Sequence, residues 1–202
     1  MLDRNLRIYK EELLNPIADN LLSRVHPTTL TVIGFGFGIA AGVAAWQEAY
    51  TIGLILWTAN RLFDGLDGTV ARRYNKQSDL GGYIDIMLDD ATYVWVVIGL
   101  ALGANTIPVY VAGLFLLASY RVNAASWMYI STLLEKRQQG AKSNSELTSV
   151  TMPTGLIEGT ETVIAYVLFF LLPGYLLPMF TIFAVLTTLT AGQRLVWAVR
   201  EL

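Results

Sequence analysis

Six long apolar runs recur along this chain, and they leave it few folds to choose from. They fall near residues 28–46, 50–72, 79–103, 107–133, 153–172 and 175–199. Inside a bilayer every backbone N–H and C=O must find its partner within the segment or within a closed barrel. Runs of about 20 residues suit helices, which cross a hydrocarbon core of ~30 Å at ~1.5 Å per residue. Composition agrees: 54% of the residues are hydrophobic, 15% are charged and the mean hydropathy is +0.48. A soluble domain of this length is rarely so apolar. The expectation is an all-α membrane protein with six transmembrane helices, folded as one domain over residues 1–202.

Residues 2–22 differ from the runs. Leu2, Leu6, Tyr9, Leu13, Ile17 and Leu21 recur at helical spacing among Arg4, Arg7, Lys10, Glu11 and Glu12. That pattern predicts an amphipathic helix lying in the membrane interface. The opening residues are mixed in charge and do not read as a cleavable signal peptide. The chain has no cysteine, which removes disulfides and thiolate metal sites. A net charge of −2 offers nothing to nucleic acid.

Lysine and arginine set the orientation. The connections 47–50, 104–106 and 173–174 contain neither, while the N-terminal segment, the 72–78 hairpin, the 134–152 loop and the C-terminal end carry most of them. Positive residues favour the cytoplasmic side, so both termini are expected there. Arg61, Arg121 and Arg194 are the exceptions, falling within spans.

The stretch DGLDGTVARRYNKQSDLGGYIDIMLD, residues 64–89, carries the chemistry. Asp64 and Asp67 are spaced i, i+3; Asp85 and Asp89 are spaced i, i+4. Each pair shares one face of its helix. Bare carboxylates are expensive in an apolar run. Two helices joined by a short hairpin would bring the pairs together, about one to three turns of ~5.4 Å below the cytoplasmic face. Four acids together call for a cation, and a hard divalent ion with oxygen ligands is the natural partner. Two such ions can clamp the attacking and leaving oxygens of a displacement. Gly68, Gly81 and Gly82 leave room for close helices or for a ligand. Arg72 stands two turns from Asp64 and can bind a phosphate oxygen. Any one of these acids alone could be an interfacial residue paired with a base; four at matching intervals could hardly be.

These residues resemble the CDP-alcohol phosphotransferase (CDP-alcohol phosphatidyltransferase) family. Its pattern is Asp-x2-Asp-Gly-x2-Ala-Arg-x8-Gly-x3-Asp-x3-Asp, and Asp64, Asp67, Gly68, Ala71, Arg72, Gly81, Asp85 and Asp89 fill every position. The resemblance implies that an acceptor hydroxyl attacks the β-phosphorus of a CDP-linked lipid, releasing CMP. It implies that Asp64, Asp67 and Asp85 hold divalent metal, magnesium or alternatively manganese. Asp89 would be the general base and a further ligand. Gly68 and Arg72 would meet the diphosphate, with Ala71 leaving space beside it. By the same resemblance Thr28, Thr29, Leu30 and Thr31 help hold the nucleotide, although a proline at a helix start followed by hydroxyl residues is also ordinary capping. Ser78 would bind the CDP headgroup; Ser78 or Asp79 is also the expected N-cap of the third span. His26 reads as an interfacial residue. A homodimer is implied as well.

Other polar residues stay open between roles. Arg121 and Arg194 either pair with Asp90, Glu158 or Glu161 to hold helices together, or line an acceptor pocket. Glu158 and Glu161 either orient an acceptor or bind an arginine. The GFGFG run of Gly34, Gly36 and Gly38 has no strand before it and reads as helix packing. The expected activity is transfer of a phosphatidyl group from CDP-diacylglycerol to a small polar acceptor at the cytoplasmic membrane face. The acceptor is left open, and a soluble CDP-alcohol with a diacylglycerol acceptor is the reverse pairing that the same motif allows. The alternative is a divalent metal-ion transporter or channel built on the same acids. It is disfavoured because transport wants polar residues at the midplane and beyond.

Overall fold

A computed structural model describes residues 25–139 and 155–202. The expected interfacial helix at 2–22 and most of the 134–152 loop lie outside them. The described residues are helical, with no strand among them: α1 (Pro27–Trp46), α2 (Tyr50–Arg73), α3 (Asp79–Ala104), α4 (Ile107–Lys136), α5 (Gly159–Leu171) and α6 (Leu176–Glu201). A single 3-10 turn, Pro173–Tyr175, precedes α6.

Four stretches are long and apolar enough to cross a membrane: Pro27–Trp46, Asp79–Ala104, Ile107–Lys136 and Pro173–Glu201. Helix α2 has 24 residues, ample length, but carries the first acids and three arginines. Helix α5 has only 13 residues, about 20 Å, against the twenty expected. Its shortfall has a cause. Residues 155–158 leave the helix because side chains satisfy their backbone donors: Gly155 N donates to Glu158 Oε1 (3.1 Å), Leu156 N to Gln193 Oε1 (2.9 Å) and Ile157 N to Thr190 Oγ1 (3.0 Å).

The chain forms two compact units. In the first, which runs to Thr106 and includes 167–174, α1 packs on both α2 and α3. Helix α1 starts at Pro27, whose missing N–H costs nothing in a first turn. Its buried face is a column of small residues, Gly34, Gly38, Ala41, Gly42 and Ala45. Backbones therefore approach closely. A Cβ on Gly99 would collide with the Gly42 carbonyl, and one on Gly103 with the Ala45 carbonyl. Gly34 and Gly38 serve this packing as expected, whereas Gly36 faces open space. Trp95 Nε1 donates to the Ile39 carbonyl across the same crossing (2.9 Å).

Helix α2 ends at Arg73, and Asn75 takes the left-handed conformation (φ 51°) that turns the chain back. Ser78 then caps α3: its backbone is extended, and its hydroxyl accepts from Gly81 N at 3.0 Å. So a few residues reverse the chain and set the two acid pairs on neighbouring helices.

In the second unit, residues 107–166 and 175–202, α4 packs on α6. Tyr120 and Phe183 meet edge to face, with centroids 6.2 Å apart.

Candidate active site

The four motif carboxylates face one small cleft in the first unit. Asp64 and Asp67 come from α2, Asp85 and Asp89 from α3, and Thr31, Gly34 and Phe35 of α1 close it. Its interior room is about 10 Å³, the scale of a single water or a bare ion. Behind it Leu30, Leu66 and Val70 form a dry cluster with Val25, Phe63 and Tyr74 packed against them. That cluster fixes the rotation of α2, which points its acid face inward.

Each acid has its own surroundings. Asp67 is the most buried, 4% exposed, and its Oδ2 accepts from Thr31 Oγ1 at 2.6 Å. Asp89 Oδ1 accepts from Arg61 Nη2 at 2.5 Å, and Arg61 Nη1 is 3.9 Å from Asp64. Arg61 is itself held on several sides. Its Nε donates to Asn60 Oδ1 (2.8 Å) and its Nη1 to the Tyr93 hydroxyl (2.9 Å). The guanidinium carbon lies 4.7 Å from the Trp57 ring and 4.9 Å from the Tyr93 ring. Asn60, 3% exposed, is anchored in turn by donating to the Gly34 carbonyl at 2.8 Å.

Four carboxylates on one cleft are hard oxygen donors, the chemistry magnesium or manganese selects. The Thr31 hydroxyl on Asp67 is the kind of outer partner that orients a metal-binding carboxylate. Among the described residues no three His, Cys, Asp or Glu side chains are drawn into a finished cage. The cation standing amid the acids is Arg61. The donor set thus suits a hard divalent ion in type, and the protein's own guanidinium already answers part of its charge.

The remaining predicted residues are distributed as follows. Gly68, Ala71 and Arg72 lie further along α2, and the Arg72 guanidinium rests over Gly68: a Cβ there would meet Nη1 at 3.0 Å. Gly81 opens α3 beneath the Ser78 hydroxyl. Thr28 is half-buried and Thr29 exposed in the first turn of α1, while Leu30 is buried in the dry cluster and does not line the cleft. Asp90 and His26 are exposed.

In the second unit, Arg194 is 5% exposed and donates to Asn123 Oδ1 at 2.7 Å, with Glu158 in electrostatic reach. Glu161 accepts from Glu158 N at 3.1 Å, reaching back over the start of α5 as in a capping box. Arg121 is exposed and lies at a mostly apolar groove of about 760 Å³ between α4 and α6. Arg121 and Arg194 therefore occupy different surroundings.

Sequence reasoning places Arg61 within a span without assigning it a role, and gives none to Asn60, Trp57 or Tyr93. A signal was present: Arg61 is i−3 from Asp64 and i+4 from Trp57, one helix face, and a membrane-embedded arginine needs a partner.

The family pattern of the CDP-alcohol phosphatidyltransferases matches residues 24–198. An inner membrane protein of Escherichia coli (strain K12), YnjF, is 33% identical over 203 residues, covering 98% of this chain and 95% of its own. Among solved structures, phosphatidylinositol phosphate synthase (PgsA1) of Mycobacterium tuberculosis with CDP-DAG bound superposes with a TM-score of 0.72. It is 23% identical and covers 91% of this chain and 92% of its own. The same enzyme in complex with manganese and citrate gives a TM-score of 0.71 at 23% identity, covering 91% and 88%. At that identity the structural likeness speaks for the fold. The family match and the near full-length relative speak for descent: with its apolar helices and complete acid motif, this chain belongs to the CDP-alcohol phosphatidyltransferases, multi-pass membrane phosphotransferases that act on CDP-linked substrates.

Proposed function

We propose that this protein transfers a phosphatidyl group from CDP-diacylglycerol to the hydroxyl of a small polar acceptor, releasing CMP. One observation carries the reading: the motif's four carboxylates, from two helices, face a single cleft. The neighbour solved with CDP-DAG supports the choice of lipid donor.

In the reaction the acceptor oxygen bonds to the β-phosphorus and the bond from that phosphorus to the CMP oxygen breaks. The acceptor's proton passes to a carboxylate. Asp89 takes that role here, since a carboxylate within hydrogen-bond reach is a competent base. Asp64, Asp67 and Asp85, with Asp89 as a further ligand, would hold divalent cation. Magnesium is the expected ion, and the neighbour with manganese supports that ion as well. When bound, such an ion supplies charge neutralisation to the diphosphate. Gly68, with no side chain, lets the diphosphate approach α2, Ala71 leaves space beside it, and Arg72 binds a phosphate oxygen. Thr28 and Thr29 at the start of α1, with the backbone of Leu30, and the Ser78 hydroxyl contribute to the nucleotide end. Arg194, Arg121, Glu158 and Glu161 are the polar residues offered to the acceptor.

The same reading has all six apolar runs crossing the membrane within one domain, both termini and the active site on the cytoplasmic side, and two copies forming a homodimer. The distribution of Lys and Arg supports that orientation. Because the chain contains no cysteine, single introduced cysteines can report the sidedness of each connection.

The test is purified protein with magnesium, radiolabelled CDP-diacylglycerol and a panel of acceptors, with product lipids identified by mass spectrometry. Magnesium-dependent CMP release with one acceptor is the expected result. No CMP with any acceptor, together with magnesium uptake into liposomes, would replace the enzyme by a transporter.

A further inference from the structure

Among the described residues that line the acid cleft, Arg61 is the one cation. It reaches Asp89 at 2.5 Å and lies 3.9 Å from Asp64. Its position is fixed from outside the acids. Trp57 and Tyr93, packed edge to face on each other, both lie against the guanidinium, Asn60 and the Tyr93 hydroxyl take two of its donors, and Asn60 is tied to the backbone of α1. An arginine that merely drifted to the nearest acid would need none of this. Both rings lie within the ~6 Å over which a guanidinium is attracted to an aromatic face, and they add to its hydrogen bonds. These contacts hold Arg61 in place independently of the acids.

We infer that Arg61 is a permanent internal counter-cation of the acid cleft, a positioning residue that orients Asp89 at the cost of weaker divalent-ion binding. The inference rests on the reading of the acids as a metal site. Its two effects pull in opposite directions. Fixing Asp89 Oδ1 restricts the rotation of the carboxylate and leaves its other oxygen as the one unengaged by Arg61, which favours turnover. Placing a positive charge beside two of the acids repels an incoming cation, which keeps the metal exchangeable. A residue with only a structural role would lose both functions together when replaced.

The experiment uses the full chain in detergent, stripped with EDTA and titrated with Mn²⁺ by electron paramagnetic resonance, alongside CMP-release kinetics. Arg61→Gln is expected to bind Mn²⁺ more tightly by about tenfold or more, a factor equal to ~1.4 kcal/mol. Coulomb's law at an effective dielectric of about 20 makes that a lower bound for a charge so close. The same variant is expected to lose about tenfold or more in kcat, with KM for CDP-diacylglycerol changed by less than about threefold. Arg61→Lys keeps the charge and loses the fork. Its Mn²⁺ affinity should stay within about threefold of the parent while kcat falls. If Arg61→Gln unfolds, as thermal unfolding in EDTA would show, the lysine variant decides: tightening or loss of Mn²⁺ binding by more than about tenfold overturns the inference. Equal or weaker Mn²⁺ binding in a folded Arg61→Gln also overturns it, and leaves the metal-site reading intact. Should the parent show no Mn²⁺ binding that Asp64→Ala removes, both readings fall.

Discussion

The bond from Thr31 to Asp67 offers the sharpest test of how the site is built. Asp67 is 4% exposed, and the Thr31 hydroxyl donates to its Oδ2 at 2.6 Å. The same hydroxyl lies 3.3 Å from the Pro27 carbonyl, too long to compete. Thr31→Val keeps the side chain's shape and deletes the donor. A hydrogen bond to a charged group contributes about 1.5–3 kcal/mol, which is roughly 10- to 150-fold in an equilibrium. An independent expectation comes from outer partners of metal-binding carboxylates, whose loss costs about 10–100-fold in metal affinity or activity. The two ranges overlap, so the midpoint of the magnesium dependence of CMP release should rise by about 10–100-fold. Maximal rate at saturating magnesium should recover in part, and Thr31→Ser should restore the parent curve. The competing view, in which Thr31 holds the nucleotide, gives a different signature: a raised KM for the CDP-lipid with the magnesium midpoint unmoved. That second pattern would refute the argument made from the hydrogen bond.

Three further outcomes can be measured. Asp89→Asn keeps an acceptor oxygen for Arg61 but cannot take a proton; turnover should vanish while Mn²⁺ and CDP-lipid binding largely persist, and parental activity would remove Asp89 from the base role. Gly99→Ala drives a methyl into the Gly42 carbonyl and should destabilise the fold by about 1–3 kcal/mol or more, whereas Gly36→Ala, with open space around it, should stabilise by about 0.5–1 kcal/mol; thermal unfolding in one detergent compares the two. Ser78→Ala removes the cap of α3 and should lower stability by about 1 kcal/mol; by the proposed contact with the CDP headgroup it should also raise KM for the lipid donor, and an unchanged KM would leave Ser78 as a cap alone.

Much of this arrangement is legible in the residues themselves. The starts and ends of α1, α2, α3 and α6 fall within about two residues of the apolar runs, because Pro27, Asn75, Ser78 and Asn105 punctuate the chain there. The pairing of the acids was readable in part: helical period puts each pair on one face, and a short hairpin sets the two helices side by side, while packing against α1 decides which way those faces turn. Helix α5 was misread. TGLIEG is apolar and small, so periodicity carries the fifth run back to 153, yet Gln193 and Thr190 draw its backbone donors out of the helix. Those partners are more than thirty residues away and leave no local trace. Arg61 shows the same limit. Its spacing from Asp64 is visible, but its bond to Asp89 depends on the rotation of α3, which Gly38, Thr92 and Trp95 fix through packing against α1. Tertiary register of that kind has no sequence period.

Where α1 passes α3, two main chains meet with only hydrogen atoms between them. Ordinary helix pairs are separated by side chains, and rotamer changes there absorb small sliding movements. At Gly99 and Gly103 this crossing has no such cushion. A rearrangement that admits a bulky donor into the cleft would carry α1 and α3 together as one wall, with Thr31 and Asp89 riding on it, and α2 would be the side that gives.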